Sequence, residues 1–483
     1  MTDHPLEQDR LRFNGVDGTT GEYLFPALSR AELSRLARQA DSAGTQLRQL
    51  RAWNQLTKQR TLGPRHGVDP RRLEQAGWGV VFAEDADPDI REALEPLLTL
   101  RRRQAGRRKA YRYRELMGDL GYRRDESKVR FLARHGVGSG PADPDRLPYY
   151  LLLVGSPEAI PYDFQYSLDV QYAVGRLCFD TVEEYAHYAR SVVAAEEGAF
   201  ARPRQATFFG VRQPGDLATE MVHDLLVNPL ARQLARGARR WDVRTACGPD
   251  ATKERLGRLL GGSETPALLF TGSHGVGFRR GSSRQRSHQG ALVCQPVSEQ
   301  AAVGPCFSAD DVPDSACPGG LIAFAFACYS AGTPHSDSFA DPGAAEPVEI
   351  SDQPFVARLP QRLLGHPRGG ALAVVGHVDR AWSYSFWWPL AEAQTEVFAS
   401  VLRRLLAGYP LGSAMEFLNQ RYSELECDLA DLRQRLDLCG QPDLLELEGL
   451  WTARNDARNF VVLGDPAVRL VPARGDGSAG AAA

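Results

Sequence analysis

No stretch of the sequence approaches the about 18 consecutive apolar residues that span a bilayer, so no membrane-crossing helix is expected. Met1 to Arg10 contains no apolar h-region, so no secretory signal is expected there either. A dominant charge sign is also missing: 57 Lys and Arg stand against 60 Asp and Glu, a formal −3. That balance selects no partner by itself, because local clusters decide such binding. Cysteine is sparse, with eight in 483 residues and no Cys-x-x-Cys pair. Both a structural zinc site and a disulfide-dense scaffold are thereby disfavoured, and a reduced, cytoplasmic setting is the expectation. The glycines of Gly275-Val-Gly277 are not followed by Gly-Lys-Ser/Thr, so they make no phosphate loop. There is no convincing internal repeat, and no metal or cofactor is expected.

What is present fits a globular protein: 43% hydrophobic and 24% charged residues. Residues 1–145 read as a helical, charged N-terminal region, with helical spacing over 29–57 and 89–118. The Gly- and Pro-rich stretch 136–145 reads as a linker or long loop. From 146 to 471 the pattern alternates. Apolar runs at 150–154, 173–179, 206–211, 240–246, 266–272, 320–327, 369–376 and 459–463 are separated by helical patterns. One helix is expected to start at Asp180-Thr-Val-Glu-Glu184, where Asp180 or Thr181 can cap it. This alternation predicts an α/β fold, a mostly parallel sheet covered by helices on both faces. Residues 472–483 have the composition of a disordered tail.

Two of the apolar runs end at reactive side chains. Leu268 to Gly272 runs into Ser273-His274-Gly275, and Ile322 to Ala327 runs into Cys328-Tyr329-Ser330. In an open α/β sheet chemistry collects at the carboxyl ends of the strands. A thiol and an imidazole brought to one sheet edge make a nucleophile and its base. His274 can take the thiol proton and later give it to a leaving amine. The backbone N–H groups of Gly275 and Cys328 are the candidate oxyanion donors. No third group orienting His274 is identifiable from sequence.

The patterns Thr271-Gly-Ser-His-Gly275 and Ala327-Cys-Tyr-Ser-Ala-Gly332 resemble those of caspase-like (clan CD) cysteine peptidases, most of all the gingipain-type peptidases and the bacterial CHAT proteases. The similarity extends to Tyr150 to Pro161, Ala173-Val-Gly-Arg-Leu177, Val374 to Trp382 and Gly464-Asp-Pro466, in that order along the chain. The resemblance implies a caspase-like fold and a cysteine endopeptidase with His274 as base and Cys328 as nucleophile. It implies Trp382 as a wall of the substrate pocket. It also implies a preference for a basic residue if a carboxylate lies at the pocket floor, for which Asp163, Asp169 and Asp379 are the candidates. The implied partner is a protein substrate, a gasdermin-like pore-forming protein in a bacterial antiviral defence role. Oligomeric state is not legible. Two other readings stay open: a catalytically inert peptide-binding scaffold with the same fold, and a non-protease hydrolase or acyltransferase using the same dyad.

Two basic stretches stand apart. Arg279 to His288 reads as an exposed, mobile loop, a solvated insertion by preference; the alternative is a segment that an arginine-directed protease cuts in itself to uncover the site. Arg101 to Arg114 interleaves Tyr111 and Tyr113 among arginines, a composition that can bind nucleic acid. A solvated or partner-facing helix is the favoured alternative there, so a nucleic-acid partner is not expected.

Overall fold

The computed structural model describes residues 10–11, 16–22, 28–29, 63–238, 240–296, 304–339, 348–388, 392–439 and 444–473. Ten strands make one sheet: β1 (Trp78–Phe82), β2 (Tyr113–Leu116), β3 (Tyr150–Val154), β4 (Ala173–Leu177), β5 (Gln205–Gly210), β6 (Asp242–Cys247), β7 (Leu268–Gly272), β8 (Ile322–Phe326), β9 (Ala373–His377) and β10 (Phe460–Gly464). Across the sheet they run β2-β1-β3-β4-β10-β9-β8-β7-β5-β6. Every adjacent pair is parallel except β9 and β10. Two parallel halves of opposite direction therefore meet at that pair.

The strand residues explain the architecture. In β1, β3, β4, β7, β8, β9 and β10 every residue is buried, so both faces are covered, as near-continuous apolar strands require. The edge strand β6 is mostly open to water and carries an Asp242–Arg244 ion pair at 2.7 Å, a charge placement that discourages edge pairing. The covering helices include α1 (Glu95–Ala105), α2 (Tyr162–Asp169), α3 (Val182–Glu196), α4 (Leu217–Met221), α5 (Glu396–Leu406), α6 (Glu416–Cys439) and α7 (Leu444–Arg458). Helix α3 begins where expected, through a capping box of Thr181 and Glu184. The expected α/β class with a mostly parallel, helix-covered sheet is the one observed.

The N-terminal side differs from expectation. Residues 63–145 do carry helices, but they also supply β1 and β2 to the common sheet, so the stretch 136–145 does not divide two bodies. A buried ionic knot makes the union physical. Arg101 on α1 donates to Asp465 at 2.6 Å and to Glu196 at 2.5 Å, and the indole of Trp78 donates to Asp465 at 2.9 Å. The arginine-rich run is thus partly structural. Arg112 likewise donates to Asp145 at 2.7 Å. The helix expected within 29–57 and the tail expected from 472 lie almost wholly outside the described residues.

Between β9 and β10 the chain inserts the α6–α7 hairpin. It closes over a second apolar cluster containing Phe339, Trp382, Leu429, Leu447 and Trp451, separate from the main core. Among the described residues no helix is long and apolar enough to cross a membrane.

Candidate active site

Strands β7 and β8 pair in parallel with Gly272 opposite Phe326. The ladder continues one step, Ser273 donating to the Phe326 carbonyl at 3.2 Å. His274 and Cys328 therefore leave the sheet at the same level, each two residues beyond a paired position. Their backbones touch: a Cβ at Gly275 would overlap the Cys328 carbonyl, so only glycine fits there. The short strand Val276–Gly277 then turns away and takes residues 16–17 as a parallel partner, placing Val16 against Phe278 and Val293.

His274 has the partner that the sequence did not identify. Its Nε2 lies 2.6 Å from Oδ2 of Asp216, the side chains being 5% and 18% exposed. Asp216 follows β5 and caps α4, accepting from the Ala218 amide at 3.2 Å and the Thr219 hydroxyl at 3.2 Å. These bonds hold the carboxylate still, so it can fix the imidazole's orientation and stabilise an imidazolium.

Cys328 is fully buried. Its Sγ accepts from the Ala381 amide at 3.2 Å. Burial pushes its thiol well above the usual range, whereas that amide and the Arg380 guanidinium act in the opposite direction. The next residue, Tyr329, holds φ at 57°, a left-handed value rare for a side chain of its size. Its amide is tied to the Asp379 carbonyl at 2.9 Å, so the loop after β9 over-determines the turn at the cysteine.

That loop, from Val378 to Ser385, lies beside the thiol. Arg380 is 1% exposed, ion-paired with Asp337, and lies over the Phe339 ring at 4.6 Å. Trp382 is 2% exposed and sits inside the second apolar cluster, 4.9 Å from the Phe339 ring, rather than walling an open pocket. Asp379 is wholly buried, and its carboxylate accepts from the Arg380 amide at 2.7 Å. Asp163 is exposed at the start of α2, and both it and Asp379 face Arg458 electrostatically. Asp169, half-buried, ends the same helix. Asp379, next to the cysteine loop, also lies 3.5 Å from the Arg380 guanidinium, so it is already answered by arginines of the chain.

The expected mobile loop at 279–288 is partly exposed yet folded. Arg280 pairs with Glu349 and with Asp352 at 2.7 Å, and the Gln285 amide donates to the Phe278 and Ile350 carbonyls at 3.0 and 2.7 Å. A cavity of about 250 Å³ opens between residues 17–22 and this segment, with Tyr329 in its lining. No group of His, Cys, Asp and Glu suited to a metal occurs among the described residues.

No protein-family model and no curated protein matches the chain. Two solved structures are similar over most of its length. One, described as "Structure of Protease", has 11% identity and a TM-score of 0.44, covering 82% of this chain and 78% of its own. The other, a complex of Porphyromonas gingivalis RgpB pro- and mature domains, has 13% identity and a TM-score of 0.42, covering 82% and 81%. A separase–securin complex from Saccharomyces cerevisiae is similar at 11% identity and a TM-score of 0.29, covering 66% of this chain and 15% of its own. Likenesses of this size say nothing of the chemistry, which rests on the side chains described above.

Proposed function

We propose that this chain is a cysteine endopeptidase of the caspase-like kind, with Cys328 as nucleophile, His274 as general base and acid, and Asp216 as the group orienting His274. The observation that carries this reading is the level exit of His274 and Cys328 from adjacent strands, with the His274 imidazole paired to the part-buried carboxylate of Asp216. The Cys328 proton passes to His274, and the thiolate adds to the scissile carbonyl carbon. The C–N bond then breaks as His274 protonates the leaving amine, and water hydrolyses the resulting thioester to regenerate the thiol. The Gly275 and Cys328 amides, whose backbones abut, are the candidate donors to the oxyanion.

A basic-residue preference is not carried into this reading, because Arg380 and Arg458 already face Asp379 from inside the fold. A gasdermin-like substrate rests on the sequence resemblance alone. Cleavage of a peptide library by the wild-type chain and by Cys328→Ala tests the proposal. Turnover by the first and none by the second supports it; equal cleavage by both rejects it.

The complete burial of Cys328 favours one second reading, an inert scaffold of the same fold that binds peptide without turnover. Bound but uncleaved library peptides would select it.

A further inference from the structure

A second carboxylate–imidazole pair lies at this sheet edge, outside the machinery assigned above. Asp456, near the end of α7, and His377, the last residue of β9, approach to 3.1 Å with both side chains 0% exposed. The Asp456 carboxylate also accepts from the Trp382 amide at 2.9 Å and from the Ser385 hydroxyl. His377 reaches the Asp379 carbonyl through Nδ1 at 3.0 Å, and that carbonyl takes the Tyr329 amide at 2.9 Å. One carboxylate on an inserted helix thus grips the loop on both sides of Ala381, whose amide touches the Cys328 sulfur.

We propose that Asp456 is a positioning residue: through His377, Trp382 and Ser385 it holds the Arg380–Trp382 loop so that the Ala381 amide faces the Cys328 sulfur and the thiol stays covered. With Cys328 as the nucleophile, as proposed above, this loop sets how the thiol meets an incoming carbonyl. Replacing a fully buried carboxylate that has three polar partners leaves those partners unanswered, so the loop has to move. Helix α7 grips the facing segment as well, Arg458 donating to the Ser338 hydroxyl at 2.9 Å, so one helix steadies both walls beside the cysteine.

The test is site-resolved alkylation of the full chain by iodoacetamide, read by peptide mass, in wild type, Asp456→Asn and Ser385→Ala. Cys294, equally buried but on the hairpin beyond His274, is the internal control for general unfolding. Cys328 alkylation is expected to rise about tenfold in Asp456→Asn, the factor carried by a lost charge-assisted hydrogen bond, and by a smaller factor in Ser385→Ala, with Cys294 unchanged. A parallel rise at Cys294, or an unchanged Cys328 rate in both variants, overturns the proposal. If Asp456→Asn does not fold, Ser385→Ala decides alone, since it removes one hydroxyl and leaves the carboxylate in place. The readout needs no turnover, so a chain that never cleaves peptide would reject the peptidase reading and leave this one standing.

Discussion

The two carboxylate–imidazole pairs at the sheet edge have the same chemistry and opposite surroundings. Asp216 and His274 sit 2.6 Å apart with 18% and 5% of their side chains exposed, whereas Asp456 and His377 are sealed at 0%. His377 also offers both ring nitrogens to carbonyls, Asp379 on one side and Asp456 on the other, each at 3.0 Å. Two acceptors demand two N–H donors, so His377 is held as an imidazolium. Burial, the largest single influence, lowers its pKa, but the Asp456 carboxylate together with the Asp379 carbonyl and carboxylate raises it on balance. A histidine saturated in this way cannot pass a proton on. The contrast separates a histidine that can work as a base from one that braces the fold.

Substitutions should split the pairs most sharply. His274→Ala is expected to lower kcat/KM by about a thousandfold with little change in melting temperature, as loss of a general base does. His377→Ala should instead cost about 3–5 kcal/mol of stability in denaturant titration, because it strands a buried carboxylate. Comparable activity losses with no stability difference would erase the distinction. Next in size, Gly275→Ala should cost about 3 kcal/mol through backbone overlap with Cys328, together with activity. Wild-type behaviour there would mean that the two strand ends are not apposed as described.

Asp216→Asn should lower kcat by about a hundredfold while the melting temperature stays near wild type, since the amide keeps the helix cap and loses the orienting charge. The smallest effect is in pH. The His377 pKa is raised on folding, so the pair's stabilisation is complete below the ordinary histidine value of about 6.5 and fades as pH rises through the folded value. The melting-temperature advantage of wild type over Asp456→Asn should therefore shrink on going from acid to alkaline buffer. An advantage that grows with pH would contradict a charged His377.

Much of this was legible in the chain itself. Buried strands leave apolar runs, and such runs mark eight of the ten sheet strands, β3 to β10, to within a few residues. Strand ends likewise drew attention to His274 and Cys328. Other features leave weaker marks. Tyr113-Arg-Glu-Leu116 is a half-polar edge strand, and Trp78 to Phe82 lies in a charged neighbourhood that read as helical. Asp216 stands 58 positions before its histidine, in Gln213-Pro-Gly-Asp216, where the local signal announces only a turn and a helix cap. Asp456 shows no local signal at all, being one acid among several on a helix. Side chains that act across long sequence separations become visible only when the strand order brings them together.

The most direct measurement is covalent labelling of the full chain with a peptide chloromethyl ketone, located by peptide mass across all cysteines. The account predicts one dominant adduct on Cys328, formed about a hundredfold more slowly in His274→Ala, because the imidazole no longer draws off the thiol proton. Adducts spread over several cysteines, or a Cys328 adduct whose rate ignores His274, would contradict it.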